Sequence, residues 1–174
     1  MTGVQIPKYS LNARLITVID IPQASSLGRF NFDLRGNAMP LCPSAQPEME
    51  GSVIFGVVGG SVEQPRVGYL TEPRPFAEEP LARSLPVHPT EVFRLAAPCA
   101  GSACRHFDGT NCQLATRTVQ LLPIVTIGLP ACVIRATCRW WLQEGREACK
   151  RCPQVVTWMY QPTDEQLRAA EPSP

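Results

Sequence analysis

The first part of the chain shows the pattern of hydrophobic and polar positions that is typical of β-strands. Four segments are rich in β-branched and aromatic residues and are separated by turns that contain Gly or Pro. These segments cover residues 13–21, 28–34, 51–60 and 65–72. The short connections favour neighbouring antiparallel strands over βαβ units, in which a helix links each pair of strands. The pattern therefore predicts a small antiparallel meander or partial barrel.

Proline dominates the next segment, residues 72–89, which holds five prolines in 18 residues. Proline at this density blocks both a helix and a central strand, so the segment is predicted to be a linker or a surface strap. We expect it to divide a β-rich part, residues 1–71, from a second part, residues 90–160. Residues 161–174 are expected to form a short helix and a frayed tail.

After the strap the pattern changes to short helices and loops. Residues 90–97 begin with a capping threonine, and apolar side chains recur at helical spacing over residues 113–122. Thr163 and Gln166 form the capping-box pattern of a last helix. Residues 154–162 are β-prone and are predicted to add a strand to the N-terminal sheet. Together the segments predict an α+β fold in which a cysteine-rich, mainly helical or loop metal-binding module follows the sheet.

Seven of the eight cysteines lie between positions 99 and 152. The chain starts without the basic and continuously apolar regions of an export signal, so we expect a cytoplasmic protein in which disulfides are disfavoured. Clustered thiols in that setting are best explained as metal ligands. The predicted ligands are Cys99, Cys104, Cys112, Cys132, Cys138, Cys149 and Cys152, with His106 as a further candidate. Cys42 lies far from them in sequence and is expected to be a small buried apolar side chain.

Three of these cysteines, Cys138, Cys149 and Cys152, fall on one stripe of a helical projection. An unbroken helix would hold Cys138 roughly 16 Å from Cys149, which is too far for one metal centre. Two possibilities remain: Gly145 breaks the helix and folds it back, or Cys138 serves a different site. Of the two adjacent tryptophans, Trp141 shares the stripe and is expected to pack over the centre, whereas its neighbour lies off the stripe.

The cysteine spacing favours an iron–sulfur cluster over zinc. Structural zinc prefers two close pairs of the C-x2-4-C kind, and the chain has one short pair, Cys149 and Cys152. An iron–sulfur cluster is larger than one ion and tolerates irregular spacing, and Pro153 after Cys152 resembles the cysteine-proline step of bacterial ferredoxins. We expect one or two clusters of the 4Fe–4S type, because seven cysteines and His106 suffice for two four-ligand centres. A single cluster with the other cysteines buried as apolar side chains is the alternative count.

The predicted clusters indicate a non-enzymatic electron carrier or redox sensor, since the sequence has no nucleotide-binding loop and no radical-type cysteine motif. One alternative is a structural zinc module that contacts a partner protein or nucleic acid. The other is a cysteine-based redox enzyme, in which His106 acts as the base for Cys104 or Cys112.

Charge is distributed unevenly, although the net charge is only +1. Residues 94–160 hold eight Lys and Arg against three acidic residues. This excess predicts a basic face that attracts an acidic redox partner by long-range steering. The residues expected to form it are Arg135, Arg139, Arg146 and Arg151. Nucleic acid is a less favoured partner, and no apolar run is long enough to predict a membrane span.

Overall fold

The computed structural model describes residues 39–61, 63–76, 86–159 and 161–172. Within these ranges the chain forms a four-stranded antiparallel sheet and several short helices. The mixed α+β class predicted from the sequence is therefore confirmed. The predicted strands at residues 13–21 and 28–34 lie outside the described residues.

The sheet is built from β1 (Leu41–Cys42), β2 (Val53–Gly60), β3 (Pro65–Pro75) and β4 (Phe93–Pro98). Its strand order is β1-β4-β2-β3, and each neighbouring pair is antiparallel. The strands predicted over residues 51–60 and 65–72 are confirmed as β2 and β3. Because β3 lies at an edge, it accommodates prolines that an inner strand would exclude.

The segment predicted to be a helix over residues 90–97 is mostly strand. The helix α1 is confined to Pro89–Val92, and β4 begins directly after it. The inner residues of β4, which include Arg94, are buried between β1 and β2, so both faces of the strand are buried and the alternation of buried and exposed positions that marks a strand is absent. The cap also differs, because the His88 ring accepts a hydrogen bond from the backbone N–H of Thr90.

The remaining helices are α2 (Gln113–Leu121), α3 (Arg139–Glu144), α4 (Arg146–Arg151) and α5 (Asp164–Ala170). Single 3₁₀ turns cover Gly101–Ala103, Arg135–Thr137 and Cys152–Gln154. The helix predicted over residues 113–122 is confirmed as α2, and the predicted capping box of Thr163 and Gln166 starts α5. None of the helices in the described ranges is long and apolar enough to cross a membrane.

The strand predicted over residues 154–162 is not formed in its described part, residues 154–159 and 161–162. Side chains instead attach this segment to the rest of the protein. Thr157 Oγ1 lies 3.1 Å from Ser44 Oγ, and the Trp158 ring stacks on His88 at 4.9 Å between ring centroids. The segment therefore makes the predicted link without joining the sheet.

One hydrophobic cluster joins the sheet to the helices. Phe55 of β2 and Ala96 of β4 pack with Cys112, Cys138 and Trp140 in the same buried group. A second buried group combines Ile54 of β2 and Leu95 and Ala97 of β4 with Ala45 and Met49, which precede β2. The cysteine-rich part thus shares its hydrophobic core with the sheet, and β4, which follows the proline-rich segment in sequence, is one of the inner strands.

Candidate metal centres

The eight cysteines line two cavities, with four cysteines in each. The first cavity is lined by Cys42, Cys99, Cys104 and Cys112. The second cavity is lined by Cys132, Cys138, Cys149 and Cys152. None of the eight forms a disulfide. The seven cysteines predicted as ligands thus fall three in the first cavity and four in the second, and Cys42 completes the first set.

The electrostatic interactions among the thiols follow the same division. Burial raises the pKa of Cys42, and the nearby thiols of Cys112, Cys99 and Cys104 raise it further. Burial likewise raises the pKa of Cys138 to about 12, and Cys152 and Cys132 add to the rise. Wherever one thiol raises the pKa of another, the two line the same cavity. Geometry and electrostatics therefore give the same two sets.

Strand pairing places the first two cysteines of the first cavity. Cys42 of β1 is paired with Ala97 of β4, and Cys99 follows two residues after Ala97. Side chains two residues apart on a strand point to the same face, so the two thiols are diagonal neighbours across the pair. The pairing continues beyond β4, because the Cys99 N–H donates to the Pro40 carbonyl at 2.8 Å. Cys42 thus reaches the cavity through the fold of the sheet.

A tight loop places the other two cysteines of the first cavity. Cys104 ends a 3₁₀ turn and Cys112 precedes α2. Between them Asp108 Oδ1 accepts hydrogen bonds from the N–H groups of Thr110 and Asn111, at 2.9 and 2.7 Å. Gly109 has φ +98°, the positive φ for which a glycine in this loop is expected. Asn111 does not adopt a positive φ, so Gly109 is the residue between Cys104 and Cys112 that does.

A break at Gly145 assembles the second cavity. Gly145 has φ 60° and ψ −140° and separates α3 from α4. Of the two possibilities left open by the sequence, the structure therefore has the broken helix, with Cys138, Cys149 and Cys152 around one cavity. Cys138 caps α3 in an extended conformation, which changes the phase of the helical stripe. For this reason Trp140, only 1% exposed, lines the cavity, and the expectation that Trp141 would do so is wrong.

Both cavities contain the same local form. In each, a first cysteine leads through a 3₁₀ turn to a second cysteine with extended backbone, and an arginine follows directly. The second cysteines are Cys104 and Cys138, followed by Arg105 and Arg139. A third cysteine then lies at or in a helix, at the cap of α2 or within α4. The spacings of the two forms differ by insertions, which conceals their likeness in the sequence.

The two cavities are adjacent. Cys42 lines the first and the next residue, Pro43, lines the second; Arg139 lines the first and the next residue, Trp140, lines the second. Consecutive Cα atoms are about 3.8 Å apart, so the backbone at these two places forms a shared wall. Gln143 of α3 also joins them, because its Oε1 accepts from the Cys112 N–H at 2.7 Å and its Nε2 donates to the Cys112 carbonyl at 3.1 Å.

Both cavities contain buried N–H groups that lack a partner. Among the described residues, the buried side-chain atoms without a hydrogen-bond partner are Ser52 Oγ, His106 Nε2, Thr118 Oγ1, Arg135 Nε, Arg139 Nε and Trp140 Nε1. Four of these six atoms are nitrogens of residues that line the cavities. Each cavity has one guanidinium nitrogen and one ring nitrogen: Arg139 and His106 in the first, Arg135 and Trp140 in the second. Each cavity is thus bordered by two residues whose side chains keep a buried N–H group without a partner.

The hydrogen bond to His106 determines the role of its ring. Arg117 Nη2 lies 2.9 Å from His106 Nδ1, and a guanidinium can only donate, so Nδ1 is the acceptor. Burial, together with the positive charges of Arg117 and Arg105, lowers the pKa of His106 to about 4, so the ring is neutral. Its proton is then on Nε2, which leaves no lone pair to bind a metal or to act as a base. The geometry therefore argues against the predicted ligand role of His106 and against its role as base for Cys104 or Cys112.

Arg94 is a buried cation next to the second cavity, and it is 3% exposed. Its Nη2 lies 3.1 Å from the Pro43 carbonyl and 3.3 Å from Cys152 Sγ, and its Nη1 donates to the carbonyls of Cys152 and Val155. None of the ion pairs in the described ranges joins Arg94 to a carboxylate. A buried guanidinium needs acceptors for its N–H groups, and the three carbonyls and the Cys152 sulfur provide them. Sequence reasoning missed Arg94 because it lies in a strand, 58 residues from Cys152.

The four arginines predicted to form a basic face have different surroundings, and their docking of an acidic partner stays a prediction. Arg135 and Arg139 line the second and the first cavity, and a hydrogen bond from Arg135 opposes the rise that burial causes in the pKa of Cys149. Arg151 pairs with Glu147 at 2.9 Å and donates to the Leu122 carbonyl at 2.8 Å. Arg146 is exposed. The basic character of this segment thus serves mainly the thiols and the local packing.

In the described part of the chain, no group of three or more His, Cys, Asp or Glu side chains is arranged to hold a metal ion. The four thiols of each set line one cavity. Comparisons with protein families, with curated proteins and with solved structures find no match to this chain.

Proposed function

We propose that the protein holds two iron–sulfur clusters of the 4Fe–4S type and serves as a non-enzymatic electron carrier. The observation that carries this proposal is the division of eight cysteines into two sets of four, with none left over. Four cysteine thiolates are the usual ligand set of a 4Fe–4S cluster. The first cavity supplies one set and the second cavity the other. Two clusters with four cysteine ligands each require Cys42 as a ligand and do not require His106.

The hydrogen-bond donors of each cavity fit such an occupant. A buried N–H without a partner costs about 1–3 kcal/mol, so four of them around two cavities indicate that an acceptor belongs there. Thiolate and sulfide sulfurs accept hydrogen bonds and carry negative charge, which also matches Arg94 at Cys152.

The spread of the thiols supports a cluster rather than zinc. A tetrahedral zinc ion with Zn–S bonds of about 2.3 Å draws its sulfurs to about 3.8 Å from one another. No group in the described residues converges to hold a single ion. A four-iron cluster is larger, so its ligands stand further apart around a cavity.

The chemistry of the site favours electron transfer over catalysis. A bound cluster supplies reversible one-electron transfer. The residues of the chain hold it by four thiolates, place N–H groups around it and limit access of water with buried side chains such as Trp140 and Phe55. The proposal places the protein in the cytoplasm, where thiols stay reduced and available as ligands.

Metal and sulfide analysis of protein purified without oxygen tests this proposal. We expect about eight iron atoms and about eight sulfides per chain, with a brown colour and broad absorption near ~400 nm. Iron close to four per chain would leave one cavity without a cluster and would refute the two-cluster form. A colourless protein that holds zinc would refute the iron–sulfur proposal and favour the structural module.

A further inference from the structure

The His106 ring is part of the wall of the first cavity, and it is 1% exposed. Its Nδ1 accepts from Arg117, so its Nε2 carries a proton. That N–H has no hydrogen-bond partner among the described residues. A ring nitrogen held in this way is a donor fixed in position, on a ring that lines the cavity.

We propose that His106 donates a hydrogen bond from Nε2–H to a sulfur of the cluster in the first cavity and thereby raises the reduction potential of that centre. This inference rests on the proposed function. Reduction adds negative charge to the cluster, and a donor stabilises the more negative state more strongly. His106 is thus a positioning residue that tunes the centre, and Arg117 fixes the tautomer that makes the bond possible.

The second cavity has its own ring donor. Trp140 Nε1 is buried without a partner, and Trp140 lines the second cavity alone. His106 lines the first cavity alone. The two donors therefore act on different centres, which makes each variant a control for the other.

Redox titration of the cluster-loaded protein, with dithionite as the electron source and electron paramagnetic resonance as the readout, tests the inference. His106→Phe is expected to lower the potential of one reduction step and to change the other much less. His106→Gln keeps an N–H₂ group near the position of Nε2, so it is expected to recover most of the lost potential. Trp140→Phe is expected to lower the potential of the other reduction step, the one that His106→Phe changes little.

The outcomes separate this inference from the proposed function. If His106→Phe binds full iron and both steps keep their wild-type potentials, the inference is wrong and the two-cluster proposal stands. If the Phe and Gln variants lower the potential equally, the effect comes from packing and the hydrogen bond is refuted. If the wild-type chain binds no iron, the proposed function fails and the inference fails with it.

A measurement on the wild-type chain covers the case in which His106→Phe does not fold. Protein labelled with ¹⁵N at histidine is reduced, and the coupling of nitrogen to the electron spin is measured. The only other histidine, His88, contacts Thr90 and Trp158 and lines neither cavity, so the signal reports His106. A weak coupling is expected for a hydrogen-bonded ring. A strong coupling would show direct ligation, and no coupling would show no contact; either result overturns the inference.

Discussion

Cys42 lines the first cavity because β1 pairs with β4, and nothing close to it in the sequence indicates this. Its burial follows from the ordinary preference of free cysteine for the interior, and the sequence predicts it. The sequence does not predict which residues lie beside Cys42, because its pairing with Ala97, 55 positions away, is not visible in local spacing. The other seven cysteines could be found from their density alone.

Replacement of Cys42 by Ser tests the division of the cysteines. We expect Cys42→Ser to lose roughly half of the iron, that of the first centre, because a hydroxyl is a poor substitute for a thiolate ligand. Ser44→Ala is the matched control, since Ser44 is equally buried and two residues away but lines neither four-cysteine cavity. Full iron content in Cys42→Ser would mean that Cys42 is only a core residue.

At the scale of elements, the sequence predicts the helices, strands and caps that depend on nearby residues. It does not predict those that depend on residues distant in the chain. The helix α2, the strands β2 and β3 and the capping box of α5 follow from periodicity and capping. The strand β4 was hidden because burial on both faces removes its alternation. The cysteine stripe named the right cysteines but gave the wrong tryptophan, because Cys138 caps α3 in an extended conformation and does not share the helical phase of Trp140 and Trp141.

Gly145→Ala tests whether this break assembles the second centre. The φ of 60° and ψ of −140° suit glycine, and an added Cβ meets no atom within 4 Å, so the cost of about 1–3 kcal/mol arises from the backbone. We expect a lower unfolding temperature and loss of iron from the second centre. Gly128→Ala also adds a Cβ in open space, without a positive φ, and is the control. Equal stability and iron content in the two variants would contradict the role of the break.

On the scale of the whole molecule, Arg94 connects parts that are distant in sequence. From β4 it reaches Pro43 after β1 and the backbone of Cys152 and Val155. Its position over the Phe55 ring, at 5.7 Å, adds a contact to β2. The sheet and the second cavity are thus held by one side chain as well as by one hydrophobic cluster.

Arg94→Leu is expected to destabilise the cluster-loaded protein by about 3–5 kcal/mol, because it leaves buried carbonyl groups and the Cys152 sulfur without their donor. Denaturant unfolding without oxygen measures this change. Arg74→Leu is the control, since the Arg74 side chain is 67% exposed on the edge strand and its loss should cost within about 0.5 kcal/mol. A similar small effect for both variants would show that Arg94 does not connect the two parts.

Under the two-cluster proposal, the wall shared by the two cavities provides a short path for electrons through this small protein. Cys42 and Pro43 line different cavities from adjacent positions in the chain, so in the two-cluster form an electron would pass from one centre to the other without crossing solvent. Each cavity also has half-buried cysteines of its own, Cys99 and Cys104 in the first and Cys132, Cys149 and Cys152 in the second. A donor can therefore deliver an electron at one cavity while an acceptor removes one at the other. The donor and the acceptor can both stay bound during the transfer.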